Sequence, residues 1–127
     1  RRSGGDVTLI SYGKTLPACL AAAETLAESG VAAEVIDLRS LKPLDEDAIL
    51  ASVRKTGRLV VVHEAARLAG LGAEIAALAA EKAFAALQGP VLRLGGPDAP
   101  AAASHPLERA YAPTIADIVA AARSLCA

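Results

Sequence analysis

Leu59-Val60-Val61-Val62-His63-Glu64, followed after a short loop by Gly70-Leu71-Gly72-Ala73-Glu74-Ile75, sets the architecture. The run Leu59 to Val62 is apolar without alternation, the pattern of a strand buried on both faces. The loop Ala65 to Gly72 leads into a helix running to about Leu87, with Leu71, Ile75 and Leu78 as one stripe. A doubly buried strand feeding a helix is the unit of a parallel sheet covered by helices.

The same unit recurs on either side. Val7 to Tyr12 is a strand closed by Gly13, and Thr15 and Pro17 stand where a helix cap and first turn belong. Leu16, Cys19, Leu20, Ala23 and Leu26 give that helix one apolar face, and Gly30 ends it as a left-handed cap. Val31 to Leu38 is the second strand. After the loop Arg39-Ser40-Leu41-Lys42-Pro43, Asp45 caps a helix that Leu44 and Ile49 staple, ending near Lys55 before Gly57. Val91 to Leu94 is the fourth strand, Gly95 to Pro106 a loop, and Thr114 with Asp117 a capping box opening a last helix, Ile115 to Cys126. The expected fold is α/β: a three-layer α/β/α sandwich with a mainly parallel sheet of four to five strands. Residues 7–127 form the domain and 1–6 the end of an interdomain linker.

Composition narrows the function classes. Of 127 residues, 31 are Ala and 54% are hydrophobic, whereas aromatics are only Tyr12, Phe84 and Tyr111. The core is therefore Leu, Val, Ile and close-packed Ala, and a disordered chain is excluded. A net charge of −1 gives no electrostatic case for nucleic acid or an anionic membrane. The longest apolar-rich stretch, Ala65 to Leu87, is broken by Arg67, Glu74, Glu81 and Lys82, so no membrane span is expected. Two cysteines are too few for a disulfide framework, and a reduced, cytoplasmic setting is expected. With no Met anywhere, the sequence reads as a piece of a longer chain.

The helix after the third strand is apolar on two sides. Opposite Leu71, Ile75 and Leu78 lie Ala73, Ala76, Ala80, Phe84 and Leu87. One side packs on the sheet; the other calls for another subunit or domain, unless the final helix covers it. The partner-contact residues expected are Glu64, Gly72, Ala76, Ala80 and Phe84.

No complete catalytic constellation is visible. Gly70-x-Gly72 lacks the third glycine of a dinucleotide loop, since Ile75 stands there. His63 and Glu64 are adjacent on a strand and point to opposite sides. His63 is a candidate base, and Glu64 a helix cap or the partner of an Arg. Asp37 and Arg39 share a side, so Arg39 either grips an anion or forms an internal ion pair that orders the loop to Pro43. His105 and Asp98 have no metal-ligand spacing with His63. Cys19 reads as core, and Ser11, Ser40 and Ser104 lack a nucleophile elbow. One alternative on these residues is a free-standing Rossmann-like module binding an anion or nucleotide at Gly13, Arg39 and Gly72.

Several stretches carry a family resemblance. They are Asp6 to Gly13, Val35-Ile36-Asp37-Leu38-Arg39-Ser40-Leu41-Lys42-Pro43-Leu44-Asp45, Thr56 to Ala65, Gly70 to Ile75, Ala83-Phe84, and Gly96-Pro97-Asp98-Ala99-Pro100 with Leu107-Glu108 and Pro113. The chain resembles the transketolase-like C-terminal domain of E1 β subunits of 2-oxo acid dehydrogenase complexes, of the pyruvate, branched-chain 2-oxo acid and acetoin types. Ala101-Ala102-Ala103-Ser104-His105-Pro106 departs from that pattern, which places aromatic residues and a further Pro after Pro100.

The resemblance implies an α2β2 parent that holds thiamine diphosphate and Mg²⁺ outside this domain, decarboxylates a 2-oxo acid and acylates the lipoyl group of E2. It implies no catalytic, cofactor or metal residue here. Instead it implies contacts with a second β subunit, the E1 α subunit and the subunit-binding domain of E2. It also implies an antiparallel edge strand before Val7, of which Arg1 to Ser3 would be a stub. The equivalent domain of a transketolase or a deoxyxylulose-phosphate synthase is the nearest alternative, since those enzymes share the Arg-x-x-Lys-Pro-Leu-Asp segment.

Overall fold

Four parallel strands form one sheet in the computed structural model: β1 (Val7–Ser11), β2 (Ala33–Asp37), β3 (Leu59–Ala66) and β4 (Leu92–Gly96), in the order β2-β1-β3-β4. The structure describes residues 1–100 and 104–127, and the side chains of His105, Glu108 and Arg109 lie outside that description. Helices α1 (Leu16–Glu28) and α5 (Ile115–Cys126) cover one face, and α2 (Glu46–Thr56) and α3 (Leu71–Ala83) the other. A fifth, short helix, α4 (His105–Tyr111), precedes α5.

Strand alternation sorts the core into two layers. Val60 and Val62 pack with Leu9, Cys19, Leu26 and Ile118 on one side; Leu59 and Val61 pack with Ile10, Ile49, Val53 and Ile75 on the other. Both layers are fully buried, so unbroken apolar strands are what the sheet requires. A completely buried Ile such as Ile75 contributes roughly 2–3 kcal/mol relative to exposure. A buried polar cluster also ties α2 to β1: the Thr8 hydroxyl meets those of Ser52 and Thr56, each at 2.7 Å.

Local signals place the helix ends. The Asp45 carboxylate accepts from the Ala48 amide at 3.1 Å, and Gly57 closes α2 at φ 68°. Thr114 and Asp117 form the reciprocal capping box of α5. Arg2 bridges antiparallel to Val35, so the N-terminal residues run along the outer edge of β2.

Four expectations change. The Thr15 side chain does not cap α1; a 3₁₀ turn over Gly13–Thr15 intervenes. Thr15 is buried between the strand ends, where its hydroxyl meets that of Ser11 at 2.8 Å and donates to the Tyr12 carbonyl. α3 stops at Ala83 and tightens into a 3₁₀ turn, Phe84–Ala86. β3 and β4 continue beyond Val62 and Leu94 to Ala66 and Gly96, with a register irregularity that periodicity does not reveal. α4 overlaps the end of the segment read as loop, Gly95 to Pro106, and continues to Tyr111; it is too short for a helical stripe although Pro106 sits in its first turn. Of the departure over residues 101–106, residues 101–103 lie outside the described residues.

Candidate functional site

In open parallel sheets a crevice forms where the chain reverses direction, at the carboxyl ends of the strands. Here β1 and β3 flank that point. His63 sits on this side of the sheet and is wholly buried. Its ring bridges two elements: Nδ1 donates to the Ala65 carbonyl at 2.9 Å, and the Gly72 amide donates to Nε2 at 3.2 Å. That pattern requires the neutral imidazole with its proton on Nδ1. Burial holds the His63 pKa below its ordinary value; the bond to Ala65 opposes this and the charge of Arg93 adds to it.

Gly72 is what admits this ring. A Cβ there would lie 2.6 Å from Nε2 and 3.1 Å from Cδ2. His63 is thus a satisfied core group that spends one of the free amides of α3, out of reach of any substrate. The side chain of Glu64 turns outward, with its carboxylate 3.7 Å from the ammonium of Lys14. The expected Arg partner is replaced by Lys14 because the 3₁₀ turn after β1 brings that residue across the crevice.

At β2, Asp37 Oδ2 accepts from Arg1 Nε at 3.0 Å and Arg39 Nε at 3.3 Å. Partial burial raises the Asp37 pKa, and the two guanidinium groups outweigh this and hold it below the ordinary value. The Arg39 side chain is 70% exposed and meets Asp37, two residues away. The loop to Pro43 carries its own Leu41–Leu44 bridge. Cys19 is core, its thiol pushed up to about 11 by burial, with the Ser11 contact opposing. Among the described residues no group of three or more His, Cys, Asp or Glu is placed to hold a metal ion.

The second candidate is the outer side of α3. Ala76, Ala80 and Phe84 line a groove of about 690 Å³ with Leu87, Pro90 and Val91 as its far wall. Phe84 is 74% exposed, the most exposed large apolar side chain among the described residues. α5 does not cover this side, since it packs against α1 on the opposite face of the sheet. The structure therefore joins Ala76, Ala80 and Phe84 in one open apolar surface and places Glu64 and Gly72 elsewhere. Helical spacing places Leu87 on this side, but sequence reasoning missed Gly89, Pro90 and Val91, because only the turn after α3 brings them alongside.

The family model for the C-terminal domain of transketolase matches residues 1–118. The chain is 48% identical, over 98% of its length, to "Pyruvate dehydrogenase E1 component subunit beta-1, mitochondrial" of Arabidopsis thaliana. It is 46% identical, over 94% of its length, to the β subunit of acetoin:2,6-dichlorophenolindophenol oxidoreductase of Bacillus subtilis. It spans 34% and 35% of those two relatives, about a third of each. Among solved structures, "Split gene transketolase, inactive beta4 tetramer" superposes with a TM-score of 0.83 at 33% identity, covering 98% of this chain and 39% of that one. Strand order, helix placement and these matches agree: the chain belongs to the transketolase C-terminal domain family.

Proposed function

We propose that the chain is the C-terminal assembly domain of the β subunit of a thiamine diphosphate-dependent 2-oxo acid dehydrogenase (E1), and that residues 1–6 are the end of the linker to its catalytic half. In this reading the intact enzyme decarboxylates a 2-oxo acid and acylates the lipoyl group of E2. The domain itself contributes contacts, first with a second β subunit, then with the α subunit and with E2. The observation that carries it is the open apolar groove around Phe84, in a fold whose buried polar side chains are otherwise satisfied among the described residues. A surface of that kind on a monomer marks an interaction site. The relatives' names support the pyruvate and acetoin types; the branched-chain type rests on the sequence resemblance alone. Two free cysteines fit a reducing compartment such as the cytoplasm. The plant relative is named mitochondrial, so a mitochondrial parent is the other setting.

A transketolase domain is the second reading, favoured by the structural neighbour. The free-standing nucleotide module loses support, because the Gly72 amide is committed to His63 and Arg39 to Asp37.

Calorimetry with thiamine diphosphate and Mg²⁺, followed by a CO₂-release assay on pyruvate, tests the proposal on the 127-residue chain. No tight binding and no turnover are expected. Decarboxylation by this chain alone would overturn it.

A further inference from the structure

The β3–β4 ladder opens near its carboxyl end. Val62 pairs with Leu94 and then Ala66 with Gly96, so three residues of β3, 63–65, face the single Gly95 of β4. A bulge of this kind re-aims side chains. Here it carries Arg67 across the end of β4, where the Arg67 amide donates to the Gly96 carbonyl at 3.1 Å. Arg93, on β4, donates from Nη1 to the Arg67 carbonyl at 3.0 Å. The two arginines are thereby held at one corner of the sheet.

That corner is shaped around them. A Cβ at Gly95 would lie 3.0 Å from Cγ of Arg67, and one at Gly96 would lie 2.5 Å from Cε1 of Tyr111. Both glycines allow the arginine stem and the tyrosine ring to lie against the strand. The loop after Arg67 holds Ala69 at φ 55°, a conformation that non-glycine residues rarely adopt. Arg67 and Arg93 both line a cleft of about 750 Å³ between β4 and α5, whose apolar wall includes Leu94, Tyr111, Pro113 and Ala121. They also line a second cleft, toward α3, with Asp98 at its rim. Neither guanidinium forms a salt bridge among the described residues. Asp117, the acid of the first cleft, is engaged by the Thr114 amide and hydroxyl in the cap of α5. His63, whose Cε1 would lie 2.8 Å from a Cβ at Gly95, is neutral and adds no charge.

We propose that the cleft between β4 and α5 binds a small organic anion, its carboxylate or phosphate group held by Arg67 and Arg93 and its apolar body against Tyr111 and Pro113. Guanidinium groups suit such oxygens because their donors match the anion's geometry. The cleft has the size of a small-molecule site with few polar anchors. This site is separate from the groove around Phe84 and stands or falls independently of the assembly reading.

The test is an NMR titration of the ¹⁵N-labelled chain with phenylphosphate, benzoate, inorganic phosphate and phenol. Saturable shifts of the Gly95, Gly96 and Ala121 amides are expected with phenylphosphate or benzoate, whichever is tighter naming the head group. Inorganic phosphate and phenol should each bind at least about tenfold more weakly. Arg67→Gln, at an exposed side chain, should weaken the preferred anion about tenfold or more, and Arg93→Gln likewise. The Arg67 substitution leaves the Arg93–carbonyl bond in place, so it reports on binding even where Arg93→Gln disturbs the corner. Absence of saturable shifts up to ~10 mM, or equal affinity in Arg67→Gln, overturns the proposal.

Discussion

The two ends of α3 are built from similar residues and behave in opposite ways. At its first turn, Gly72 lies against a buried histidine and donates its amide to the ring, while Ile75, one turn on, is fully buried. At its last turn, Ala80 and Phe84 face outward across a groove. Gly, Ala and a large apolar residue make an interior at one end and a surface at the other. The difference arises in the neighbours: β3 supplies a ring to the first turn, whereas the outer side of the last turn meets only the groove wall at residues 87–91, α2 reaching it from the other side. An apolar helix face is thus defined by what covers it, and a face left open is evidence of a partner.

Substitutions along α3 should separate the two ends. Ile75→Ala removes a fully buried side chain from the layer beneath α3 and should cost about 3–4 kcal/mol by urea denaturation. Gly72→Ala forces a methyl group to 2.6 Å from His63 Nε2 and should cost about 2–3 kcal/mol. A change below about 0.5 kcal/mol there would show that the ring is not held by the glycine. At the other end, Phe84→Ala should leave the stability of the single chain within about 0.5 kcal/mol. A loss of several kcal/mol would mean that Phe84 belongs to the core and would erase the contrast.

The closed end should also respond to acid. In the folded chain His63 takes up a proton less readily than in the unfolded chain, whose ordinary value is 6.5. Between the two values the unfolded state binds more protons, so stability falls as pH drops below about 6.5 and through the folded value. Its contribution is constant above that window. Protonation also removes the acceptor for Gly72 and sets a cation at the amino end of α3, where the helix dipole opposes it. Urea midpoints at pH 7.5 and 5.5 should diverge for the native chain and diverge less for His63→Gln. Equal divergence would place the acid sensitivity elsewhere. A loss smaller than those at Ile75 and Gly72 is expected at Asp45→Ala, which removes the cap on Ala48 at a cost of about 1 kcal/mol.

Much of this architecture was legible because its signals are local. The unbroken run Leu59 to Val62, the Asp45 cap, the glycine after α2 and the Thr114–Asp117 box each act within a few residues. The α3 face was legible in part, since helical spacing gathers Ala76, Ala80 and Phe84 without knowledge of the rest. What escaped depends on residues distant in sequence. The bulge that extends β3 to Ala66 is fixed by its pairing with β4, and the Lys14 partner of Glu64 lies on another strand end. The role of Gly72 was hidden for the same reason: a glycine before a helix reads as a turn, whereas here it makes room for a ring nine residues earlier. α4 was missed because seven residues carry too little periodicity to stand out.

The central claim is that the groove around Phe84 joins two copies of this domain. Sedimentation velocity of the native chain and Ala80→Glu, over a range of concentrations, tests it most directly. Ala80 is exposed, so the substitution should leave the urea midpoint unchanged. The native chain's sedimentation coefficient should rise with concentration toward that of a dimer, whereas the Ala80→Glu chain should stay monomeric. Identical sedimentation of the two chains, at equal stability, would contradict it.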